Sequence, residues 1–189
     1  CGVKGAIVSA VEKPLSDAGV RFRGCHPMAG REFSGFSYSL DNLFEKASFI
    51  MTPTDDTKMS AVKEISAFAY RTGFAKCVVS SPKEHDEIIA FTSQLAHVVS
   101  SAYIKSPSLG KQAGFSAGSF KDLTRVAKLN ADMWTTLFLM NKTALAAEVD
   151  HIIKALTDYR DCIAAGDAET LHRLLEEGSA LKEKSNNMR

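Results

Sequence analysis

Short apolar runs, separated by prolines and polar segments, fill the first eighty residues. The runs at 20–27 and 47–53 each end at a proline, and a third lies at 76–81. Apolar runs with these lengths and boundaries are typical of buried strands. Residues 54–73 have an Asp-rich start that resembles a helix cap, apolar side chains at helical spacing and a terminal Gly73, which predict a helix. A strand, a helix and a strand in this order indicate the second half of a Rossmann-like, doubly wound α/β domain.

From Pro82 onward the pattern is helical throughout. Ser81 is a predicted helix cap, because a proline and acidic residues occupy the first turn after it. The helix that follows is predicted to present one apolar face, made of Ile88, Phe91, Leu95, Val98 and Ala102. The Gly- and Ser-rich stretch 105–119 predicts a loop.

A long helix is predicted from near Ala131, and Gly166 with Asp167 is predicted to break it before a last amphipathic helix. Apolar residues along the long helix alternate at spacings of four and three: Leu145, Val149, Ile152, Leu156, Tyr159 and Ile163. Such a seam is typical of a helix that packs against a partner helix, within the chain or in a second copy. We therefore expect an α/β part over residues 1–80 and an all-α domain over residues 81–189.

Composition and charge disfavour several classes of partner. The 23 basic and 22 acidic residues give a formal net charge of +1, so nothing in the charge points to nucleic acid or an anionic membrane. No apolar run approaches the roughly 20 residues that span a bilayer, and Lys4 and Glu12 interrupt the apolar opening, which argues against a signal peptide. The four cysteines are widely spaced and form no C-x-x-C pair, so they indicate neither a disulfide framework nor a zinc site. We expect them to be free thiols of a reducing compartment. A soluble, cytoplasmic protein is expected.

One histidine stands out as a candidate for chemistry. His26 lies at the carboxyl end of a predicted strand, and in open α/β sheets ligands collect at the carboxyl ends of strands. Pro27 restricts His26 to extended backbone, and Gly30 and Gly35 permit tight turns close to a ligand. An isolated histidine in this position is more often packed at a strand end than functional.

The residues around His26 change that interpretation. HPMAG, followed by E-x-S-G, resembles the prephenate and arogenate dehydrogenase family, and further segments resemble the family in the same order along the chain. These segments are CGVK at the start, LFEKASFIMTPT, HDEIIAFTSQLAHVVSSA and GSFKDLTRVAKLNADMW. Together they extend from residue 1 to about residue 141. Collinear motifs of this kind are more specific than any one of them alone.

The resemblance implies a reaction in which prephenate gives a hydride to NAD, or NADP, loses CO₂ and becomes 4-hydroxyphenylpyruvate. His26 matches the family's catalytic histidine, which accepts a hydrogen bond from the ring hydroxyl and must be neutral to do so. Arg125 matches the family's substrate-carboxylate arginine, whose planar fork suits a carboxylate. Asp122 lies one helical turn earlier and could hold the guanidinium, although an exposed ion pair is the simpler reading of these two residues alone.

The resemblance also implies roles for further residues. His97 shares a polar helical stripe with Ser93, Ser100 and Ser101, which should face water or a site, and the family places a substrate-pocket histidine here. Lys4, Trp134 and Arg31 are expected near the substrate, whereas Gly2, Pro27 and Thr52 are expected near the cofactor. From the residues alone, Lys4 could equally be a surface lysine and Trp134 a core residue.

Three departures from the family pattern bear on these expectations. The sequence contains no G-x-G-x-x-G turn, so we expect the first half of the nucleotide-binding domain to be missing and the chain as printed to bind NAD⁺ poorly. Gly2 stands where the family usually has Ser, and Arg31 replaces a small hydroxyl residue, which puts the substrate preference in doubt. A homodimer through the helical domain is expected.

Three alternatives stay open from the sequence. The first is arogenate dehydrogenase, which uses the amino-acid analogue of prephenate, and the second is another β-hydroxyacid-type dehydrogenase with the same two-domain plan. The third is a non-catalytic helical dimerisation or regulatory module, which the missing cofactor turn supports.

Overall fold

The computed structural model describes residues 2–30 and 35–188. Within these described residues three strands are present: β1 (Gly24–Pro27), β2 (Ser48–Thr52) and β3 (Lys76–Val79). The helices of the described part are α1 (Gly5–Asp17), α2 (Met59–Arg71), α3 (Pro82–Ile89), α4 (Ala96–Tyr103), α5 (Gly118–Thr124), α6 (Ala131–Met140), α7 (Lys142–Ala165) and α8 (Ala168–Asn186). The predicted α/β remnant followed by helices is confirmed.

The sheet has the strand order β1-β2-β3 and mixes both orientations. β2 and β3 are parallel and joined through α2, whereas β1 runs antiparallel to β2, with His26 opposite Ile50. Phe49 and Met51 of β2 form the core with Ala69 and Phe74. Because β1 is antiparallel, its carboxyl end lies away from the carboxyl ends of β2 and β3. His26 was singled out by the rule that ligands collect at the carboxyl ends of strands. In this mixed sheet, that rule points to one edge for β1 and to the opposite edge for β2 and β3.

Helix α2 begins later than predicted. The Asp-rich segment is a turn in which the Thr57 hydroxyl accepts a hydrogen bond from the Thr54 amide at 3.0 Å, and the helix starts at Met59 without a side-chain cap. The predicted end at Gly73 is confirmed, since Gly73 has a φ of 97° that glycine adopts without a Cβ penalty.

Helix α3 continues through a π-helical turn (Ala90–Leu95) into α4. The predicted cap is confirmed, because the Ser81 hydroxyl accepts a hydrogen bond from the Glu84 amide at 3.1 Å. The predicted apolar face is wrong in part, since Ile88 and Phe91 are 50% and 61% exposed. A π-helical turn adds a residue and shifts the facing of side chains around it. The side chains that are buried here include several polar ones: His85, Asp86, Gln94 and Ser100.

The long helix predicted from near Ala131 is interrupted at Asn141, which separates α6 from α7. The structure divides into two compact units, Cys1–Leu145 and Ala146–Arg189. In the second unit the predicted break at Gly166 is confirmed, and the Asp167 side chain caps α8 by accepting from the Thr170 amide at 3.0 Å. In the part of the chain that the structure describes, no helix combines the length and apolarity needed to cross a membrane.

Candidate active site

A chain of hydrogen bonds links His26 to the start of α3. The Nδ1 atom of His26 lies 2.8 Å from Nε2 of His85, and Nδ1 of His85 lies 2.7 Å from Oδ1 of Asp86. The side chain of His85 is fully buried, and Asp86 is 8% exposed. His26 is half-buried, so its ring connects this interior chain to the surface.

Asp86 is the anchor of the cluster. Its two carboxylate oxygens accept hydrogen bonds from the backbone amides of Lys4 and Gly5, each at 2.7 Å, and thereby cap the start of α1. A Cβ at Gly5 would approach Oδ2 of Asp86 to 3.1 Å, which leaves little room for any larger residue. The cluster therefore joins α1, β1 and α3 around one carboxylate.

A second buried pair of polar side chains supports the same region. Asn141 donates through Nδ2 to the Asp86 carbonyl at 2.8 Å and to Oε1 of Gln94 at 2.7 Å. Gln94, in the π-helical turn, donates to the Leu137 carbonyl at 3.2 Å. The break between α6 and α7 thus places a side chain against the end of α3. Buried polar groups that are satisfied in this way specify one arrangement of the surrounding helices.

The cluster holds His26 in its neutral form. Burial, followed by the positive charge of Lys4 and the neighbouring His85, lowers the pKa of His26 from 6.5 to about 4. Burial also lowers the pKa of Lys4, against the opposing attraction of Asp86. Burial raises the pKa of Asp86, but hydrogen bonds from His85, Lys4 and Gly5 outweigh it and leave that pKa below its usual value. At neutral pH the cluster therefore contains a carboxylate and a neutral His26.

Comparison with known proteins assigns the chain to a family. Residues 1–79 match the nucleotide-binding domain of prephenate dehydrogenase, and residues 81–177 match its dimerization domain. The chain belongs to the prephenate dehydrogenase family. Its resemblance to the family, expected from the motifs, is thereby confirmed.

Individual relatives agree with this assignment. The chain is 32% identical over 158 residues to the prephenate dehydrogenase of Bacillus subtilis, across 81% of this chain and 42% of that protein. Prephenate dehydrogenase from A. aeolicus, solved in complex with hydroxyphenyl propionate and NAD⁺, is 34% identical with a TM-score of 0.83, over 97% of this chain and 64% of that one. Synechocystis arogenate dehydrogenase is 26% identical with a TM-score of 0.79, over 98% of this chain and 67% of that one. The chain spans about half the length of the curated relatives it matches, from 42% to 52%.

Two of the residues to which the family resemblance assigns substrate contacts lie side by side. The rings of His97 and Trp134 are 4.0 Å apart between centroids, and Nδ1 of His97 lies 2.8 Å from the Ser93 carbonyl. Because a carbonyl can only accept, Nδ1 of His97 carries the hydrogen. Trp134 also contacts Phe138 at a centroid distance of 5.3 Å. The polar stripe that His97 shares with Ser93, Ser100 and Ser101 is at least partly buried, and Ser100 is 1% exposed.

The proposed carboxylate-binding residues occupy a different environment. Asp122 lies on the short helix α5, and Arg125 follows directly after its last residue. Both side chains are exposed. In contrast to the buried cluster at His26, they belong to a surface segment.

The residues expected near the cofactor also differ in exposure. Pro27 is exposed, and Gly2 is partly buried with space beside it, since among the described residues an added Cβ would meet only Leu137, at 3.9 Å. Thr52 is 2% exposed, and its hydroxyl donates to the Gly24 carbonyl at 3.1 Å. Arg31 lies outside the described residues.

These residues suit one end of a nicotinamide cofactor. His26 and Pro27 reach the surface together at the end of β1, and the space at Gly2 lies two residues from Lys4. An exposed strand end next to a neutral histidine is chemically compatible with the reacting nicotinamide end. The turn that would hold the pyrophosphate has no counterpart in the sequence.

Sequence reasoning did not assign His85, Asp86, Gln94 or Asn141 to the site. His85 and Asp86 form the HD that opens one of the family-like segments, and from their place in the first turn after Ser81 they could be an interdomain contact or equally a solvated, acidic helix start. The signal that could have identified them is their place at the head of that family-like segment. Nothing in the local sequence indicates that Asn141 reaches Asp86.

Proposed function

We propose that the protein carrying this chain is a prephenate dehydrogenase, which converts prephenate to 4-hydroxyphenylpyruvate with NAD⁺ in tyrosine biosynthesis. The observation that supports this proposal most strongly is the setting of His26, which lies half-buried at the end of β1 with its Nδ1 atom 2.8 Å from Nε2 of the buried His85. The His26 pKa of about 4 keeps the ring neutral at physiological pH, and only a neutral ring has a nitrogen that accepts a hydrogen bond. Family membership supplies the reaction class.

His26 acts on the ring hydroxyl of the substrate. As the hydride leaves the carbon that bears this hydroxyl, the oxygen gains carbonyl character and its hydrogen becomes more acidic. A hydrogen bond to His26 therefore strengthens towards the transition state and speeds the chemical step. Breaking the bond to the departing CO₂ returns an electron pair to the ring, and the phenol of the product keeps the hydroxyl hydrogen.

The remaining site residues bind and orient the dianionic substrate. We assign a substrate carboxylate to Arg125, with Asp122 orienting the guanidinium, and we assign Arg31 to the substrate on the family resemblance alone. His97 and Trp134, whose rings lie 4.0 Å apart, line the pocket. Lys4 is a cation that is 3% exposed, and it holds positive potential next to His26.

NAD⁺, when bound, accepts the hydride. We assign Gly2 and Pro27 to the nicotinamide end of its site, because Pro27 follows His26 directly at the end of β1 and Gly2 has room for a small neighbour. Thr52, with its hydroxyl bonded to Gly24, supports the sheet under this site and does not reach a ligand directly. NADP is the alternative cofactor, because none of the site residues named above reads the ribose.

Arogenate is the second candidate substrate. The similarity to an arogenate dehydrogenase from Synechocystis, at 26% identity, supports it, and so does similarity to a cyclohexadienyl dehydrogenase from Zymomonas mobilis at 33% identity. The test is to express the full-length protein and follow NADH formation with prephenate and with arogenate at equal concentrations. We expect the higher kcat/KM with prephenate. A higher value with arogenate would reassign the substrate, and no NADH with either would favour a non-catalytic dimerisation module.

We further propose a homodimer formed by the helical domain. In the second unit, Leu156 and Ile163 of the predicted seam are 58% and 64% exposed, and Leu175 of α8 is 55% exposed. Exposed apolar side chains at helical spacing favour a partner surface. Light scattering on the 20.5 kDa chain should give twice that mass, and a monomer would refute this interface.

We place the enzyme in the cytoplasm. Cys25, Cys77 and Cys162 are free thiols, which suits a reducing compartment. Fractionation of cells that express the full-length protein tests this location.

A further inference from the structure

We propose that His85 and Asp86 are positioning residues that hold His26 in one tautomer, with the hydrogen on Nδ1 and the lone pair on Nε2. This proposal rests on the proposed function, because it concerns the nitrogen that faces the substrate hydroxyl. Neither His85 nor Asp86 is assigned a contact with the substrate. They act through His26.

The direction of the hydrogen bonds follows from Asp86. An ionised carboxylate can only accept, and the hydrogen bonds that it receives keep its pKa below the usual value. Nδ1 of His85, 2.7 Å from Oδ1 of Asp86, must therefore carry the hydrogen of that bond. The backbone amides of Lys4 and Gly5 are further donors to the same carboxylate, so Asp86 cannot turn away without leaving buried amides unpaired.

The next bond transmits this orientation to His26. In a neutral His85 ring with its hydrogen on Nδ1, Nε2 is an acceptor. Nδ1 of His26, 2.8 Å away, then donates to it. Because the His85 side chain is fully buried, Nε2 cannot exchange this bond for one to bulk water, and an unpaired acceptor there would cost about 1–3 kcal/mol.

The result is the tautomer that the reaction needs. With the hydrogen on Nδ1, the Nε2 atom of neutral His26 presents a lone pair. A histidine without such a partner is free to carry its hydrogen on Nε2, where it would meet the substrate hydroxyl as a donor and not as an acceptor. The carboxylate–histidine–histidine chain removes this unproductive form.

Two substitutions at His85 separate positioning from packing. His85→Leu fills space but accepts no hydrogen bond. His85→Gln offers a carboxamide whose nitrogen donates to Asp86 and whose oxygen accepts from His26, so it preserves the direction of both bonds. His151→Gln is the matched control, because His151 is an exposed histidine of α7.

Kinetics of the full-length protein give the first test. We expect His85→Leu to lower kcat about 10- to 100-fold, the range for losing a partner that orients a histidine, with little change in the KM for prephenate. His85→Gln should recover most of the lost kcat, and His151→Gln should match the wild type. Wild-type kcat in His85→Leu, or equal losses in the Leu and Gln variants, would overturn the proposal.

Nitrogen NMR of ¹⁵N-histidine-labelled protein gives the second test and needs no substrate. We expect His26 to be protonated at Nδ1 in the wild type and in His85→Gln, and to shift towards the Nε2-protonated form in His85→Leu. A wild-type His26 protonated at Nε2 would reject the proposal even if His85→Leu failed to fold. Absence of prephenate oxidation by the wild type would reject the proposed function instead and leave the tautomer result standing.

Discussion

Two regions that are assigned to one site differ sharply in how they are built. The cluster of His26, His85 and Asp86 is largely buried, and each successive pair is joined by a bond of 2.8 Å or less. The segment with Asp122 and Arg125 is exposed at the end of a seven-residue helix. The first region is therefore organised before any ligand binds, whereas the second presents exposed side chains, to which we assign a substrate carboxylate. Substitutions should separate the two, with losses of stability and turnover in the cluster and losses of binding in the surface segment.

The largest effect on stability is expected from Asp86→Ala. This change leaves the amides of Lys4 and Gly5 and the Nδ1 hydrogen of His85 without their buried acceptor. Removing one partner of such a buried charged network costs about 3–5 kcal/mol. The free energy of unfolding, measured in urea through the fluorescence of the single tryptophan, provides the measurement.

Asp17→Ala is the control for Asp86→Ala, because Asp17 pairs with Lys13 at 2.9 Å on the surface. Its loss should cost less than about 1 kcal/mol. Equal losses for the two variants would show that the buried carboxylate is not an anchor.

Arg125→Gln should change binding and spare the fold. It removes one charge-assisted pair with the substrate, worth about 1.5–3 kcal/mol, so the KM for prephenate should rise about 10- to 100-fold. The affinity for NAD⁺ should stay the same. Lys121→Gln removes another exposed cation of α5 and should leave both constants unchanged. Parallel losses of substrate and cofactor binding in Arg125→Gln would point to damaged folding instead.

The pH dependence of stability should distinguish His26 from an exposed histidine. Its pKa is about 4 in the folded protein and near 6.5 in the unfolded chain, so the unfolded chain binds more protons between these values. The stability that neutral His26 contributes is thus present above about pH 6.5 and is lost as the pH falls towards 4. His26→Gln should lose less unfolding free energy than the wild type between about pH 7 and pH 5. Identical losses would mean that His26 titrates normally.

The smallest effect is expected at Gly2. In the described part of the chain a Cβ there would meet only Leu137, at 3.9 Å, so Gly2→Ser should be tolerated. A serine hydroxyl that bonds the substrate is worth about 0.5–1.5 kcal/mol, which corresponds to a KM about 2- to 10-fold lower. Gly2→Ala controls for the added carbon. If Ala and Ser gave the same KM, the hydroxyl would have no role.

The sequence predicted the parts of this molecule that depend on local pattern. The three strands and the end of α2 at Gly73 follow from apolar runs and breakers, and the place of His26 near the end of β1 follows from the run at 20–27. The exposure of Ile88 and Phe91 was not predicted, because a π-helical turn after α3 alters which side chains face inward. The packing of the folded chain, and not the local sequence pattern, decides which of these side chains are buried.

The hydrogen-bonded cluster could not have been predicted in the same way. Asp86 bonds the Lys4 amide across 82 positions, and His26 bonds His85 across 59. No periodicity connects residues so far apart. Helix α1 was missed as well, since Pro14 lies inside it and proline usually interrupts a helix.

The most direct test of this account is the kinetics of His26→Asn in the full-length protein. Asparagine lacks the ring nitrogen that accepts from the substrate hydroxyl, while it leaves the carboxylate-binding residues in place. We expect kcat for prephenate oxidation to fall about 10²- to 10⁴-fold, with the KM for prephenate nearly unchanged. A rise in KM at unchanged kcat would contradict the account, because His26 would then bind the substrate without assisting its oxidation.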